Sequence, residues 1–465
     1  MQSTVDGLLH DAASLHRFIS FVCEYSKAQE SAQTYLVSSI RFFEDVRDLG
    51  RATKEYLPPF LERASKSPRR IATQRQKLVA IKRCWRVLHY FVKLAADAPT
   101  LNVPVSLQNL FQDRLHEIES LRGVDIVILL CADLNYFQHR HGPLKKLVGE
   151  VQGIIGYTKP LLTGLGFIAM PYSQSSNLIT NTLICHELGH FVFEELLRGS
   201  ALRGPIDGAL KKHLGASFEF APDRIKDWCR KQLGTWAEEI FCDIFALSLV
   251  GPVFSFASIE LFSLLGLLDE KESLRFSPSH PADACRFKEH LAQLEFLGWW
   301  QAVKDVGSEH IKLIEELGKK PETSYEFALE GNLVLGQTLK DAFCDVRQDI
   351  RRLVNTMCAE VRSGLDDFRR HNRTVQEYLS RGIVPSTLAI RGRLVHPEPV
   401  GVINALACFY LSSLPRLIRN APKYYRRRNS DRKISDRSEL TSRLETWGTK
   451  AIEDYRLLHP HRKVE

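Results

Sequence analysis

Apolar residues three and four positions apart dominate the first 120 residues, in segments such as LHRFISFVCEY, SAQTYLVSSIRFFEDV and KLVAIKRCWRVLHYFVKLAA, and this spacing predicts amphipathic helices. The turn-rich stretch ADAPTLNVPVS closes that region near residue 105. The pattern then changes. Val124 to Cys131, VDIVILLC, is a continuous β-branched apolar run that predicts a strand buried on both faces. Gly166 to Met170, GFIAM, predicts a second strand ended by Pro171. Helical spacing returns after residue 300, most clearly in Lys312 to Leu317, Ala328 to Val346 and Ile350 to Arg370. The expected fold class is α+β, predominantly α-helical with a small sheet. It divides into a helical region over 1–120, a central domain over 121–300 and a helical region over 301–465.

Composition narrows the class. A hydrophobic content of 44% with 25% charged residues belongs to a globular chain, and a net charge of +8 over 465 residues permits an acidic partner without requiring one. Ten cysteines are scattered without a CxxC pair, as expected of reduced thiols in a cytoplasmic protein. The N-terminus, MQSTVDGLLHDAASLHRF, carries no secretory pattern. The uncharged stretches between Asp243 and Glu260 and between Glu398 and Arg416 both fall short of the ~20 residues a membrane span needs, so they read as core helices and no transmembrane segment is expected. Lys423 to Lys433, KYYRRRNSDRK, has the charge and aromatics of a nucleic-acid or membrane-surface contact. A solvated basic loop is the favoured reading there, and a packed helix for the basic stretch Ser67 to Arg86.

The chemistry lies in Leu183 to Val192, LICHELGHFV. On a helix His186 and His190 stand one above the other and can reach one ion, while Glu187, beside the first of them, can accept a proton from water held there. Apart from the motif itself the run carries no charge, as a buried active-site helix requires. Two histidines leave zinc short of a ligand. A third histidine in HExxHxxGxxH is excluded, because Phe193 and Leu196 occupy those positions. In TWAEEIFCDIFALSLVGP, Thr235 and Glu238 form a capping box that predicts a helix starting at Trp236 and ending at Gly251 and Pro252. Glu239 and Asp243 then share a face: Glu239 is the expected third ligand and Asp243 the acceptor that orients a ligand histidine, with Glu238 the competing ligand. In SPSHPADACRF, His280 precedes a helix that Pro281 can open. His280 and Arg286 are candidates to stabilise an oxyanion, weighed against a capping or core role for His280 and a structural ion pair for Arg286.

HELGH, then EIFCD, then GP and HPADACRF resembles, over roughly residues 160 to 290, the gluzincin clan of zinc metallopeptidases. The order is most similar to the branch containing the HtpX-like and CAAX-prenyl endopeptidases. The resemblance implies a zincin-like metallopeptidase core within 121–300, Zn2+ held by His186, His190 and Glu239, Glu187 as general base and Asp243 as support. It further implies hydrolysis of peptide bonds, with an extended protein substrate lying along an edge strand at Phe167 to Pro171. The chain departs from those membrane enzymes in lacking transmembrane helices, so a soluble cytoplasmic endopeptidase is expected, restrained by its helical flanks or by a regulatory protein partner. Two alternatives stand beside it: a catalytically silent zinc-binding scaffold, and a protease triggered by nucleic acid through the basic run. Cys185 points about 100° away from His186 on a helix and reads as packing rather than as an inhibitory ligand.

Overall fold

The computed structural model describes every residue except 1, 33–36, 67–70, 101–104, 132–135, 139–140, 172–176, 195–199, 216–218, 220–221, 266–275, 278–279, 307, 321–334, 382, 413–436 and 459–465. Helices predominate, with a small sheet. The chain forms two compact units, residues 1–112 with 123–175 and residues 113–122 with 176–465. This division differs from the three consecutive regions expected: the strands go with the N-terminal helices, and the HELGH segment goes with the C-terminal ones. The basic run Lys423 to Lys433 lies outside the described residues.

The first unit contains α1 (Gln2–Ala32), α2 (Val37–Lys66), α3 (Ile71–Thr100), β1 (Asp125–Cys131), β2 (Phe137–Gln138), α5 (His141–Ile155) and β3 (Leu165–Pro171); the division between the units falls within α4 (Val105–Glu117). The apolar faces of α1, α2 and α3 meet, and α3 also packs on β1 and α5. Phe42 and Phe91 both stand edge-on to Phe167, at 5.1 and 5.2 Å. β1 and β3 are parallel, in register from Asp125 opposite Leu165 to Cys131 opposite Pro171, and α5 lies between them in the chain. The strand order is β1-β3-β2, with β2 antiparallel to β3 at Phe137 and Gln138. β3 is therefore the central strand and all seven of its residues are buried. Phe167 to Pro171 is not an edge that a substrate could extend, because β1 pairs along its whole length and β2 takes the other side at Ile168 and Ala169.

The second unit contains α6 (Ile184–Val192), α7 (Ser200–Leu214), α8 (Asp223–Val250), α9 (Val253–Leu264), α10 (Asp283–Phe296), α11 (Trp299–Val303), α12 (Glu309–Lys319), α13 (Leu335–Met357), α14 (Leu365–Ser380), the hairpin β4 (Leu388–Ile390) and β5 (Arg393–Val395), α15 (Pro399–Ser412) and α16 (Arg437–Leu458). Its axis is α8, against which α6, α7, α10 and α13 pack. Every residue from Glu239 to Val250 is buried, which explains why that half of the helix is apolar all round. α8 begins at Asp223 and not at Trp236. Thr235 lies inside it and donates to Lys231 O at 3.0 Å, so the capping-box pattern marks no helix start here. Among the described residues no helix is long and apolar enough to cross a membrane, and the described parts of both stretches form buried helices.

α8 ends where Gly251 takes φ 72°, a conformation that costs other residues strain, and Pro252 precedes the next helix. Buried Asn404 of α15 serves the break. Its Oδ1 accepts from Val253 N at 2.8 Å and its Nδ2 donates to Val250 O and Val400 O, each at 2.8 Å. Asn404→Leu leaves Val253 N and Val250 O dry and unmatched, and is expected to lower the unfolding free energy by about 3 kcal/mol in urea titration. An unchanged midpoint would show that the break does not depend on it.

Candidate metal centre

α6 and α8 cross at Gly189. A Cβ there would stand 2.7 Å from Cys242 Cα and 2.9 Å from its Cβ, so only glycine lets the two backbones approach this closely. The crossing sets His186 and His190 of α6 opposite Glu238, Glu239, Cys242 and Asp243 of α8, within a shell of apolar residues. Phe254 of α9 lies parallel to the His186 ring at 6.1 Å.

Each imidazole has its own carboxylate on the Nδ1 side, as a hydrogen bond at His190 and as an ion-pair contact at His186. His186 Nδ1 lies 2.9 Å from Asp243 Oδ1, and His190 Nδ1 lies 2.8 Å from Glu238 Oε1. A carboxylate beside Nδ1 favours the tautomer with the proton there, which leaves Nε2 as a lone-pair donor. Both Nε2 atoms turn to one group: His186 Nε2 is 3.5 Å from Glu239 Oε2 and His190 Nε2 is 3.6 Å from Glu239 Oε1. These separations are too long for good hydrogen bonds, and buried Glu239 Oε2 has no hydrogen-bond partner among the described residues. Two ligands on one tetrahedral zinc, each bonded at 2.0–2.1 Å, stand about 3.3 Å apart, so the spacing fits a cation among the three side chains. Cys242 is a further donor, since its Sγ and a nitrogen of each histidine all lie within 4.8 Å of one another. His186, His190 and Cys242 are thus a buried group able to hold a metal ion, and the Glu239 oxygens face the two Nε2 atoms beside it.

Asp243 is completely buried, and its two oxygens gather four donors. Arg286 of α10 grips both, Nη2 to Oδ1 and Nε to Oδ2, each at 2.7 Å, and His290 Nε2 lies 3.3 Å from Oδ2. The third guanidinium nitrogen, Nη1, is 3.6 Å from Glu239 Oε2.

Burial opposes charge on every one of these groups, and their mutual attraction overcomes it in most. Burial would raise the Glu239 pKa, but His186, Arg286 and His190 pull it down to about 2. Asp243 is likewise held well below the usual carboxylate range, burial being outweighed chiefly by Arg286. Burial would lower His186, yet Asp243 and Glu239 lift it to about 10. His190 is raised against burial by Glu238 and Glu187. His290 goes the other way, lowered by burial despite Asp243. The Cys242 thiol is pushed well above 9 by burial and by the four surrounding carboxylates, Glu239, Glu238, Glu187 and Asp243.

The structure brings together six of the seven residues singled out in the sequence at measured contact: His186, His190, Glu239, Asp243, Arg286 and, at the margin, His280. The His280 ring is half exposed, with Nε2 3.7 Å from Glu239 Oε1. Its backbone is tied into a turn with Ser277, and α10 begins at Asp283, two residues beyond Pro281, so Pro281 does not open the helix. Glu187, the seventh, is 8% exposed on α6 and acts on His190 through its charge. Glu238 contacts His190 Nδ1 rather than capping α8. Sequence reasoning did not single out Cys242 or His290, although His290 follows Arg286 by four residues and so shares its helix face. No family model matches the chain, and neither a curated protein nor a solved structure does.

Two predictions follow from the crossing and its charges. Gly189→Ala forces the helices apart and is expected to lower stability by about 1–3 kcal/mol in urea titration; an unchanged midpoint would contradict so tight a contact. In protein stripped of metal by chelator, the protonated form of His186 adds stability that is fully present below pH 6.5 and is lost as pH rises through about 10. Unfolding free energy should therefore fall between pH 7 and 10 by up to about 1.4 kcal/mol per pH unit. His186→Gln should flatten that slope, and an equal slope in the variant would contradict the assignment.

Proposed function

We propose that the chain is a zinc metallopeptidase that hydrolyses peptide bonds of protein substrates. One observation carries this reading: two imidazole Nε2 atoms and the Glu239 carboxylate converge at ligand-to-ligand spacing while separate carboxylates hold both imidazoles from behind. Two histidines and a glutamate form a donor set that zinc uses in hydrolases. Bound there, zinc would polarise a water molecule and a substrate carbonyl.

The chain's own residues supply the rest. Glu187, next to His186, accepts the proton of the attacking water and returns it to the leaving amine. Asp243 and Glu238 keep the two imidazoles oriented. Arg286 is committed to Asp243 and Glu239, which suits an ion pair that holds the site together and leaves it no role on substrate. His280, half exposed beside Glu239, is placed to donate to the oxyanion, and burial lowers its pKa so that the ring is neutral near pH 7. All ten cysteines are free, which suits a reducing, intracellular setting, and the helices flanking the site are the parts of the chain available to restrict access or sense a partner.

Cys242 favours a second reading, in which a thiolate joins the histidines and closes a purely structural site. Glu239, whose oxygens lie 3.5 and 3.6 Å from the two Nε2 atoms, offers the third ligand without it and weighs against this reading.

Metal content and cleavage of a peptide library separate the readings. Wild type and Glu187→Gln should each hold one zinc per chain, with turnover in the variant reduced by about 10³-fold; full activity in it would refute the mechanism. Glu239→Ala should lose zinc, and unchanged stoichiometry would overturn its place as a ligand. The cobalt-substituted protein should lack a sulfur-to-metal charge-transfer band, whereas a strong one would favour the structural reading.

A further inference from the structure

Ser255 and His290 form a pair behind the metal centre that the proposed reaction leaves without a task. His290 is 1% exposed on α10, and its two ring nitrogens face different elements. Nδ1 lies 3.1 Å from the hydroxyl of Ser255, a fully buried residue of α9. Nε2 lies 3.3 Å from Asp243 Oδ2, within ion-pair distance, and makes no well-formed hydrogen bond among the described residues. A carboxylate oxygen only accepts, so the proton of a neutral His290 ring belongs on Nε2, and Nδ1 must then accept from the Ser255 hydroxyl. Asp243 thereby selects the tautomer, and Ser255 supports it by donating to Nδ1.

The donor matters because Arg286 cannot orient Asp243 independently. Its guanidinium is shared between Asp243 and Glu239, so motion of one carboxylate is transmitted to the other. With His290 present, each Asp243 oxygen meets two donors: His186 and Arg286 at Oδ1, Arg286 and His290 at Oδ2. Phe254, the residue before Ser255, lies against both histidines, parallel to His186 at 6.1 Å and tilted on His290 at 5.3 Å. The first turn of α9 thus reaches the metal face by two routes.

Resting on the zinc reading, we propose that His290 is a positioning residue for the metal site: with its tautomer set by Asp243 and supported by Ser255, it holds Asp243 turned so that Oδ1 meets His186 Nδ1 and His186 Nε2 faces the cation. The role is indirect, through Asp243, and differs from filling space.

Zinc affinity of the full chain, measured by competition with a chromophoric chelator, tests it. His290→Leu should weaken zinc binding by about 10–100-fold, the range for loss of a partner that orients a ligand. His290→Gln keeps an amide donor near the Nε2 position and should stay within about threefold of wild type. Ser255→Ala should weaken binding by about threefold to tenfold in wild type and leave the His290→Gln background unchanged, since glutamine has no tautomer to select. That dependence on background is one a packing role would not produce. Wild-type affinity in both Ser255→Ala and His290→Leu, or equal losses from Ser255→Ala in both backgrounds, would overturn the proposal while leaving the zinc reading intact. Failure of wild type itself to bind zinc would remove the reading beneath it.

Discussion

Negative charge buried between α6 and α8 has to be balanced, and the surrounding structure is arranged around that requirement. Four carboxylates, Glu187, Glu238, Glu239 and Asp243, cluster about two imidazoles, and Arg286 is the cation that contacts two of them directly. Burying such groups uncompensated is expensive. Protons on His186 and His190 can supply the missing positive charge, and a divalent cation can supply the same charge in their place. Protonation and metal binding are therefore competing answers to one electrostatic demand. The demand would be hard to rationalise if the carboxylates served packing alone.

The helix crossing makes that concentration of charge attainable. Without a side chain at Gly189, α6 approaches α8 closely enough for Glu239 to face both imidazoles and for Asp243 and Glu238 to reach behind them. α10 closes the arrangement from a third direction with Arg286 and His290, and α9 supports it through Phe254 and Ser255. Arg286 and His290 both contact Asp243, and Ser255 and Phe254 reach it through His290 and His186, so the centre is a connected network of four helices.

The parts of this arrangement that were legible in the sequence are those set by helical period. His186 and His190 lie four apart, as do Glu239 and Asp243, and spacing alone puts each pair on one face. Glu238 was misread because Thr235 with Glu238 imitates a capping box, whereas the upstream residues from Asp223 continue the helix and release Glu238 for His190. Cys242 and His290 were invisible for a different reason: a buried cysteine or histidine gains meaning only from what another helix brings beside it. The strands at Val124 and Gly166 could be read from their β-branched and apolar content, but strand order could not, since it depends on where β2 returns to pair. The compact units were equally hidden, being discontinuous in the chain.

The central claim is that a single ion belongs among His186, His190 and Glu239. Diffraction from crystals of the zinc-loaded protein, recorded on both sides of the zinc absorption edge, tests it most directly. The account predicts one anomalous peak about 2.0–2.1 Å from Nε2 of each histidine and from a Glu239 oxygen, with no thiolate in the coordination shell. A peak bound by Cys242 in place of Glu239, or none between the two helices, would contradict it.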